Sequence, residues 1–324
     1  MKICITGAAG FLGRNLTNWI LDNTEHSVIG VDKIAPKELK WIDDNKRFVY
    51  VYCPIERDEL QSVFKRHRPS IAYALASYAS EGRANHIRKF IHSNNTVGMA
   101  NVINACINNN CKIIFTSSVA VYSGLPPFDE ETIPNPIDEY GLSKLSTEKS
   151  IEISGNVNNL EWSIIRPRNV YGIYQNMFDK TLNLFGIFFY KYFNNQPLTI
   201  FGDGSNQRNF TYIDDILEPM YNAIKYDRQI FNLGSSKVYT IKQAAEIFCE
   251  VTGYNKIEYV EPRHEVPAAF CKTDKSEQLL GYKDITSLYD GLKKMYVWAK
   301  EQKIKPLEIP PPLEITKNMH SSLL

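Results

Sequence analysis

A chain of 324 residues can bury a large core and has the length of two modest lobes. Its formal net charge is +1 and its basic residues are scattered, so it lacks the electrostatic footprint of a nucleic-acid binder. No apolar run reaches membrane-spanning length, and residues 185–193, which include Lys191, read as a buried helix. A first strand starting almost at Met1 leaves no room for a signal peptide, which makes the cytoplasm the expected location. The six cysteines (Cys4, Cys53, Cys106, Cys111, Cys249, Cys271) show no paired spacing and are expected to be reduced, mostly in the core. The six histidines are equally dispersed, and no metal is expected.

The first half alternates strand and helix. Residues 2–6 form a short apolar run, and 11–21 show helical spacing through Leu12, Leu16 and Ile20. Strands are predicted at 27–31 and 48–53, a helix at 59–65 and a strand at 71–75. Residues 96–108 predict a helix with Met99, Val102, Ile103 and Cys106 on one side. A buried strand at 112–116, a helix at 140–153 and a strand at 162–166 follow. Strands separated by helix-length segments imply an α/β fold with a Rossmann-type, doubly wound parallel sheet.

After Pro167 the texture changes to turn-rich segments such as 202–209, mixed with short strands and helices. This predicts a smaller, mixed α/β C-terminal substrate lobe. Residues 213–224 and 231–233 read as a return to the first domain. The expected division is 1–167 with 211–246 for the cofactor, and 168–210 with 247–324 for the substrate. The tail contains Pro310-Pro311-Pro312, which no regular helix accommodates, and is expected to lie on the surface as an arm.

Gly7-Ala8-Ala9-Gly10-Phe11-Leu12-Gly13 follows the first strand and opens a helix. Gly7, Gly10 and Gly13 permit a tight turn and close approach of backbone N–H groups to a pyrophosphate, and the helix N-terminus adds favourable electrostatics. Phe11 and Leu12, at the start of that helix, join the expected cofactor contacts. Asp32 ends the second strand roughly twenty residues later, where an acidic side chain accepts hydrogen bonds from the adenosine ribose. Its charge repels a 2′-phosphate, so NAD is expected over NADP, a preference that Lys33 beside it weakens.

Tyr140-Gly141-Leu142-Ser143-Lys144 places Tyr140 and Lys144 four apart on one helical face. Tyrosine has an unperturbed pKa of about 10, and lowering it by about three units takes roughly 4 kcal/mol. A neighbouring ammonium and a positive nicotinamide ring both favour phenolate. The expectation is a partly buried Tyr140 with a depressed pKa, acting as a base.

Upstream, Thr116-Ser117-Ser118-Val119-Ala120-Val121-Tyr122 follows the fifth strand. Together with the glycine spacing and the Tyr140–Lys144 pair, it resembles the extended short-chain dehydrogenase/reductase family. The resemblance implies that Ser118 bonds the reacting sugar oxygen and that Lys144 also bonds the nicotinamide ribose. It places Leu75, Ala76 and Pro167 along the cofactor. Asn95 matches the family's helix-opening asparagine behind the active site, with a simple helix cap as the alternative. Two features depart from the pattern: Cys53-Pro54-Ile55 stands where an adenine-contacting Asp is usual, and Ala74 where a histidine is usual.

Three later segments resemble the nucleotide-sugar epimerase/dehydratase branch of that family, and the resemblance covers residues 2–300. Arg166-Pro167-Arg168-Asn169-Val170-Tyr171-Gly172 implies that Asn169 approaches the diphosphate. Residues 197–204, followed by Gln207-Arg208-Asn209-Phe210, imply that backbone groups of Thr199 and Phe201 read the base and that Arg208 neutralises a phosphate. Asn209 replaces the usual Asp. Pro262-Arg263-His264-Glu265 resembles the segment of the second phosphate arginine, Arg263, with a loop one residue shorter. Ser80 lies on the loop expected to face the sugar.

The chemistry implied is oxidation at C4, after which two fates compete. Hydride return to the other face of the sugar gives a 4-epimerase; loss of water across C5 and C6 gives a 4,6-dehydratase. Retaining dehydratases place Asp-Glu where Val119 and Ala120 stand, and the inverting Asp-Lys pair is also missing. Against these absences, Glu81 lies on the loop after strand four. The chain resembles virally encoded UDP-N-acetylglucosamine 4,6-dehydratases that also invert C5 and lack both standard pairs. The expected reaction on this reading is dehydration of a UDP-hexose with Glu81 as acid/base, Cys271 and Lys180 being alternatives to it. A 4-epimerase is the competing reading. A 4-ketosugar reductase fits Asp32 poorly, and a non-catalytic NAD-sensing scaffold has no need of Tyr140 and Lys144. Helices 96–108 and 140–153 resemble the family's dimerisation pair, which implies a homodimer or larger homo-oligomer.

Overall fold

The computed structural model describes residues 1–39, 45–179, 183–262, 268–317 and 319. The chain runs β1 (Lys2–Thr6), α1 (Phe11–Asn23), β2 (Ser27–Asp32), β3 (Phe48–Tyr52), α2 (Glu59–His67), β4 (Ile71–Ala74), α3 (Glu81–Ala84), α4 (Arg88–Ile91), α5 (Gly98–Asn108), β5 (Lys112–Thr116), α6 (Glu139–Asn158) and β6 (Trp162–Pro167). It continues with β7 (Val170–Tyr171), α7 (Leu184–Phe193), β8 (Leu198–Phe201), β9 (Gln207–Asn209), β10 (Thr211–Tyr212), α8 (Ile213–Asn222) and β11 (Gln229–Leu233). Last come β12 (Val238–Thr240), α9 (Ile241–Thr252), β13 (Ile257–Val260), β14 (Ala268–Ala269), α10 (Asp274–Leu280) and α11 (Leu288–Lys300).

Seven strands form one parallel sheet in the order β11-β6-β5-β4-β1-β2-β3. Its central strands are continuous apolar runs because helices cover both faces. The side chains alternate: Ile3, Ile5, Tyr73, Ile114 and Ile165 enter one core, while Cys4, Ala72, Ala74, Ile113, Phe115 and Ile164 enter the other. β1 lies between β2 and β4, so the chain reverses its direction across the sheet there. That reversal opens a crevice at the carboxyl ends of β1 and β4, where ligands of such sheets bind.

Smaller sheets (β7–β10, β12–β9–β14 and β8–β13) lie beyond the main one. The predicted helix at 96–108 proves to be α5 preceded by α4 and a wide helical turn, His92–Val97, so Asn95 sits inside a helical stretch. The six cysteines are free thiols, five of them buried. Among the described residues, no cluster of His, Cys, Asp and Glu is placed to hold a metal ion. No helix among them is long and apolar enough to cross a membrane.

Candidate active site

A cavity of about 1940 Å³ runs from the turn after β1, past the end of β5 and the start of α6, to β8 and β9. Its first part is a cradle. Gly7 adopts φ +75°, and a Cβ there would lie 2.8 Å from Ala76 N. A Cβ on Gly13 would lie 2.1 Å from Gly7 O, so α1 can approach the turn only with glycine at that position. Gly10, the residue capping α1, has no side chain to accept from the first N–H groups of the helix, and Gly10, Phe11 and Leu12 line the cavity.

Asp32 stands at the cradle's edge. Its Oδ2 accepts from Ala9 N at 2.9 Å and its Oδ1 from Ile34 N at 3.2 Å. Burial pushes its carboxyl up, while these N–H groups and the Lys33 ammonium act against that. Lys33 donates its own Nζ to Asn94 Oδ1 at 3.2 Å, away from Asp32. A bare glycine turn, a helix N-terminus and a fixed carboxylate fit a dinucleotide with free ribose hydroxyls. Leu75, Ala76 and Pro167 line the same wall.

Asn95 is not among the residues lining the cavity, nor is it a helix cap. Its Oδ1 accepts from Tyr78 N at 2.9 Å, and its Nδ2 donates to Tyr78 O at 3.1 Å and Ser143 Oγ at 3.2 Å. It therefore braces the loop after β4 against α6 from behind, rather than touching a cofactor.

The next part of the cavity is built around the start of α6. Asp138 caps the helix, accepting from Gly141 N at 2.7 Å. A Cβ on Gly141 would lie 2.3 Å from Ala120 O, so this glycine lets α6 pack against the turn that carries Ser118. Ser118 Oγ accepts from Ala120 N at 3.1 Å and bonds the Tyr140 hydroxyl. Lys144 Nζ donates to Thr116 O at 2.8 Å and lies 5.7 Å from the centre of the Tyr140 ring. The structure thus brings Ser118, Tyr140 and Lys144 together.

Their proton affinities differ from the expectation. Burial pushes the Tyr140 phenol above its ordinary value, and the Glu81 carboxylate adds to the rise. The bond from Ser118 and the Arg168 guanidinium oppose it. Burial also pushes Lys144 down to about 7, with the Glu148 carboxylate resisting. Both members of the pair are desolvated, so the protein alone holds Tyr140 as the neutral phenol. Desolvation outweighs the attraction that the four-residue spacing suggested.

Glu81, the first residue of α3, does reach this centre. Its half-exposed carboxylate lies 3.4 Å from Arg168 Nη1. Ser80, one residue earlier, is buried and does not line the cavity, because adjacent residues at a helix start point in different directions. Arg168 is 5% exposed and rigidly presented: its N donates to Leu233 O at 2.9 Å and its O accepts from Thr211 Oγ1 at 2.8 Å. Burial pushes the Asp138 carboxyl up to about 6, and Glu81 reinforces that rise. Asp138 and Arg168 were missed as site residues, although Asp138 precedes a helix start as a cap should.

Beneath the site, Arg166 and Glu148 form a buried bidentate ion pair, with Nε–Oε1 2.9 Å and Nη2–Oε2 2.5 Å. Arg166 Nη1 also bonds the Tyr122 hydroxyl. Cys271 is buried against Gly234 and the Tyr122–Phe128 cluster, outside the cavity wall, and burial pushes its thiol up to about 12. It is poorly placed as an acid/base. Asn169, Thr199, Phe201 and Arg208 line the far end of the cavity. Asn169 Nδ2 donates to Asn209 O at 3.0 Å, and Thr199 Oγ1 donates to Glu258 Oε1 at 2.6 Å. Lys180, Arg263, His264 and Glu265 lie outside the described residues.

Known proteins share this architecture. The crystal structure of UDP-glucose 4-epimerase with UDP-glucose from Thermotoga maritima superposes with a TM-score of 0.86 at 28% identity, covering 93% of this chain and 99% of that one. The UDP-glucose 4-epimerase of Mycolicibacterium smegmatis is 25% identical over 91% of this chain and 97% of its own length. The dTDP-glucose 4,6-dehydratase of Haemophilus influenzae is 22% identical over 92% and 97% respectively. With the family model matching residues 3–234, the chain belongs to the NAD dependent epimerase/dehydratase family, and its cofactor is NAD.

Proposed function

We propose that this enzyme oxidises C4 of a UDP-hexose, UDP-N-acetylglucosamine first among them, and then removes water across C5 and C6 with inversion at C5. The observation that carries this reading is the position of Glu81, a carboxylate 3.4 Å from Arg168 and electrostatically coupled to Tyr140. NAD, which the glycine cradle would hold, would accept the hydride of C4 and return it to C6 once water has left, so that the cofactor ends the cycle oxidised. Tyr140 Oη takes the proton of the C4 hydroxyl while Ser118 holds the same oxygen. Lys144, fixed on Thr116 O, keeps its ammonium beside the phenol as charge develops. The resulting ketone acidifies C5–H. Glu81 removes that proton and returns one to the departing C6 hydroxyl, which leaves as water. The face on which C5 is reprotonated sets its configuration.

Asn169 and Arg208 serve the diphosphate, and Thr199 and Phe201 the base, in this reading. Residues 1–167 with 211–246 hold the cofactor, and 168–210 with 247–324 hold the nucleotide-sugar. Exposed apolar side chains on α6 and just before α5 (Val97, Ile153 and Val157) supply a surface for a homodimer.

A second reading, 4-epimerisation, is favoured by the epimerases among the relatives and by Val119 and Ala120 at the position of the usual dehydratase pair. Incubation of the purified enzyme with UDP-N-acetylglucosamine, without added nicotinamide, separates the two. A 4-keto product absorbing in alkali is expected; UDP-N-acetylgalactosamine would establish the epimerase instead. Absence of turnover with any UDP-sugar overturns both. Glu81→Gln is expected to keep C4 oxidation and stop water loss.

A further inference from the structure

The described residues after α11 form no regular secondary structure, yet they are bonded along one end of the cavity. Glu308 N donates to Phe178 O at 2.7 Å, and Glu308 Oε2 accepts from Asn176 Nδ2 at 3.0 Å. Pro311 O accepts from Arg83 Nη2 at 2.6 Å. Leu313 packs into the apolar cluster of Ala84, Ile87, Ile91 and Tyr140. Glu314 N donates to His86 O at 2.8 Å, and the Glu314 carboxylate accepts from Lys89 N at 2.7 Å and Phe90 N at 2.9 Å. His86 Nδ1 donates to Ile315 O at 2.9 Å. Leu307 and Glu308 are themselves part of the cavity wall.

Most of these contacts converge on residues 81–91, the segment that begins with Glu81. That segment consists of two four-residue helices, α3 and α4. Helices so short have almost no stability of their own, since nucleation is unfavourable and isolated helices below about 12–15 residues are marginal. Their place must come from what packs on them. The start of α6 holds one side: Glu139 accepts from Arg88 Nε at 2.6 Å and its N donates to Asn85 Oδ1 at 3.0 Å. The arm holds the segment through Arg83, His86, Lys89 and Phe90.

We propose that residues 307–315 form the outer wall of the sugar site, and that Glu314 is a positioning residue for Glu81. This rests on the reading of Glu81 as the acid/base for C5 and C6. Glu314 is the clamp because one carboxylate takes two backbone hydrogens, from Lys89 and Phe90, while its own N–H donates to His86 O. Releasing it frees α3 and α4, and Glu81 loses its set distance from Arg168.

The test compares full-length Glu81→Gln, Glu314→Ala, Glu314→Asp and the Glu81→Gln/Glu314→Ala double variant on UDP-N-acetylglucosamine. C4 oxidation is followed as reduced-nicotinamide absorbance in a single turnover, and water loss as the 4-keto product. Glu314→Ala is expected to keep its bound NAD and its C4 oxidation, and to lose about tenfold in kcat for water loss at nearly constant KM. Glu314→Asp restores part of the loss. Because the effect passes through Glu81, the double variant is expected to be no slower than Glu81→Gln alone. A wild-type rate in Glu314→Ala, an additive loss in the double variant, or an equal loss of C4 oxidation overturns the positioning role. Unchanged water loss in Glu81→Gln overturns the reading of Glu81 by itself, and the positioning role with it; so does a wild-type enzyme that returns only the 4-epimer. A chain ending at Pro306 that stays folded is expected to repeat the Glu314→Ala pattern, and a wild-type rate from it counts against the proposal.

Discussion

Arg168 Nη1 and Glu81 Oε1 lie 3.4 Å apart beside Tyr140, although one residue follows β6 and the other follows β4. The guanidinium offsets two carboxylates, Glu81 and Asp138, that raise the proton affinity of the phenol. Replacing Arg168 by Met leaves those charges unopposed. The rising limb of kcat/KM against pH is expected to move up by about one unit, with a roughly tenfold loss near neutrality. Arg168→Lys keeps the charge and most of the profile. Identical profiles for Met and wild type would dismiss this electrostatic role.

Lys144 makes a prediction about stability rather than rate. Its pKa falls from 10.5 to about 7 on folding, because burial disfavours the ammonium. Below about pH 7 both states hold the proton and the folded protein bears the full penalty. Between there and 10.5 the unfolded chain binds the proton more strongly, so stability rises with pH. Lys144→Met removes a penalty of roughly 3–5 kcal/mol and forfeits about 1 kcal/mol for the bond to Thr116 O. The inactive variant should melt several degrees above wild type at pH 6, with the gap closing as pH approaches 10. Melting curves across that range decide it.

Glu148→Ala leaves the Arg166 guanidinium buried without its carboxylate. Breaking such a pair costs about 3–5 kcal/mol, a fall in Tm of roughly 10 °C for a protein of this size. Replacing both residues by Met is expected to recover most of that loss, since the paired charges also had to be desolvated. Calorimetry of the single and double variants tests the difference; equal destabilisation would contradict it.

Asp32→Ala is expected to weaken NAD binding by about 10–100-fold, the worth of one or two charge-assisted hydrogen bonds, and to narrow the preference over NADP. Titration calorimetry with both dinucleotides measures it. Retained discrimination would mean that another group excludes the 2′-phosphate.

Much of the architecture was legible because doubly buried parallel strands read as continuous apolar words, as in residues 2–6 and 112–116. The glycine turn was legible because backbone geometry demands glycine at Gly7 and Gly13, and the Tyr140–Lys144 pair because it stands together with the Ser118 segment in a pattern that resembles a known family. Proton affinity was not. It depends on how completely Tyr140 and Lys144 are enclosed, and that enclosure comes from distant segments. Arg168 carries no mark of burial in sequence; Leu233 and Thr211 impose it through backbone bonds. Ser80 and Glu81 looked equivalent until a short helix turned one inward and left the other facing the cavity. The tail was legible as a surface arm, but its contacts with residues 83–90 were not, because they are largely to backbone groups, which every sequence offers.

The outermost strand, β11, has a consequence for how the protein matures. Gln229–Leu233 pairs with Ser163–Pro167 only after the intervening chain has been laid out. Until then β6 is an unpartnered apolar edge, available to any other extended chain. Closing so long a loop is entropically slow. Leu233 is also the residue whose carbonyl fixes the Arg168 backbone, so the pairing that covers this edge also gives the guanidinium its place. Sheet completion and the arming of the enzyme are one event.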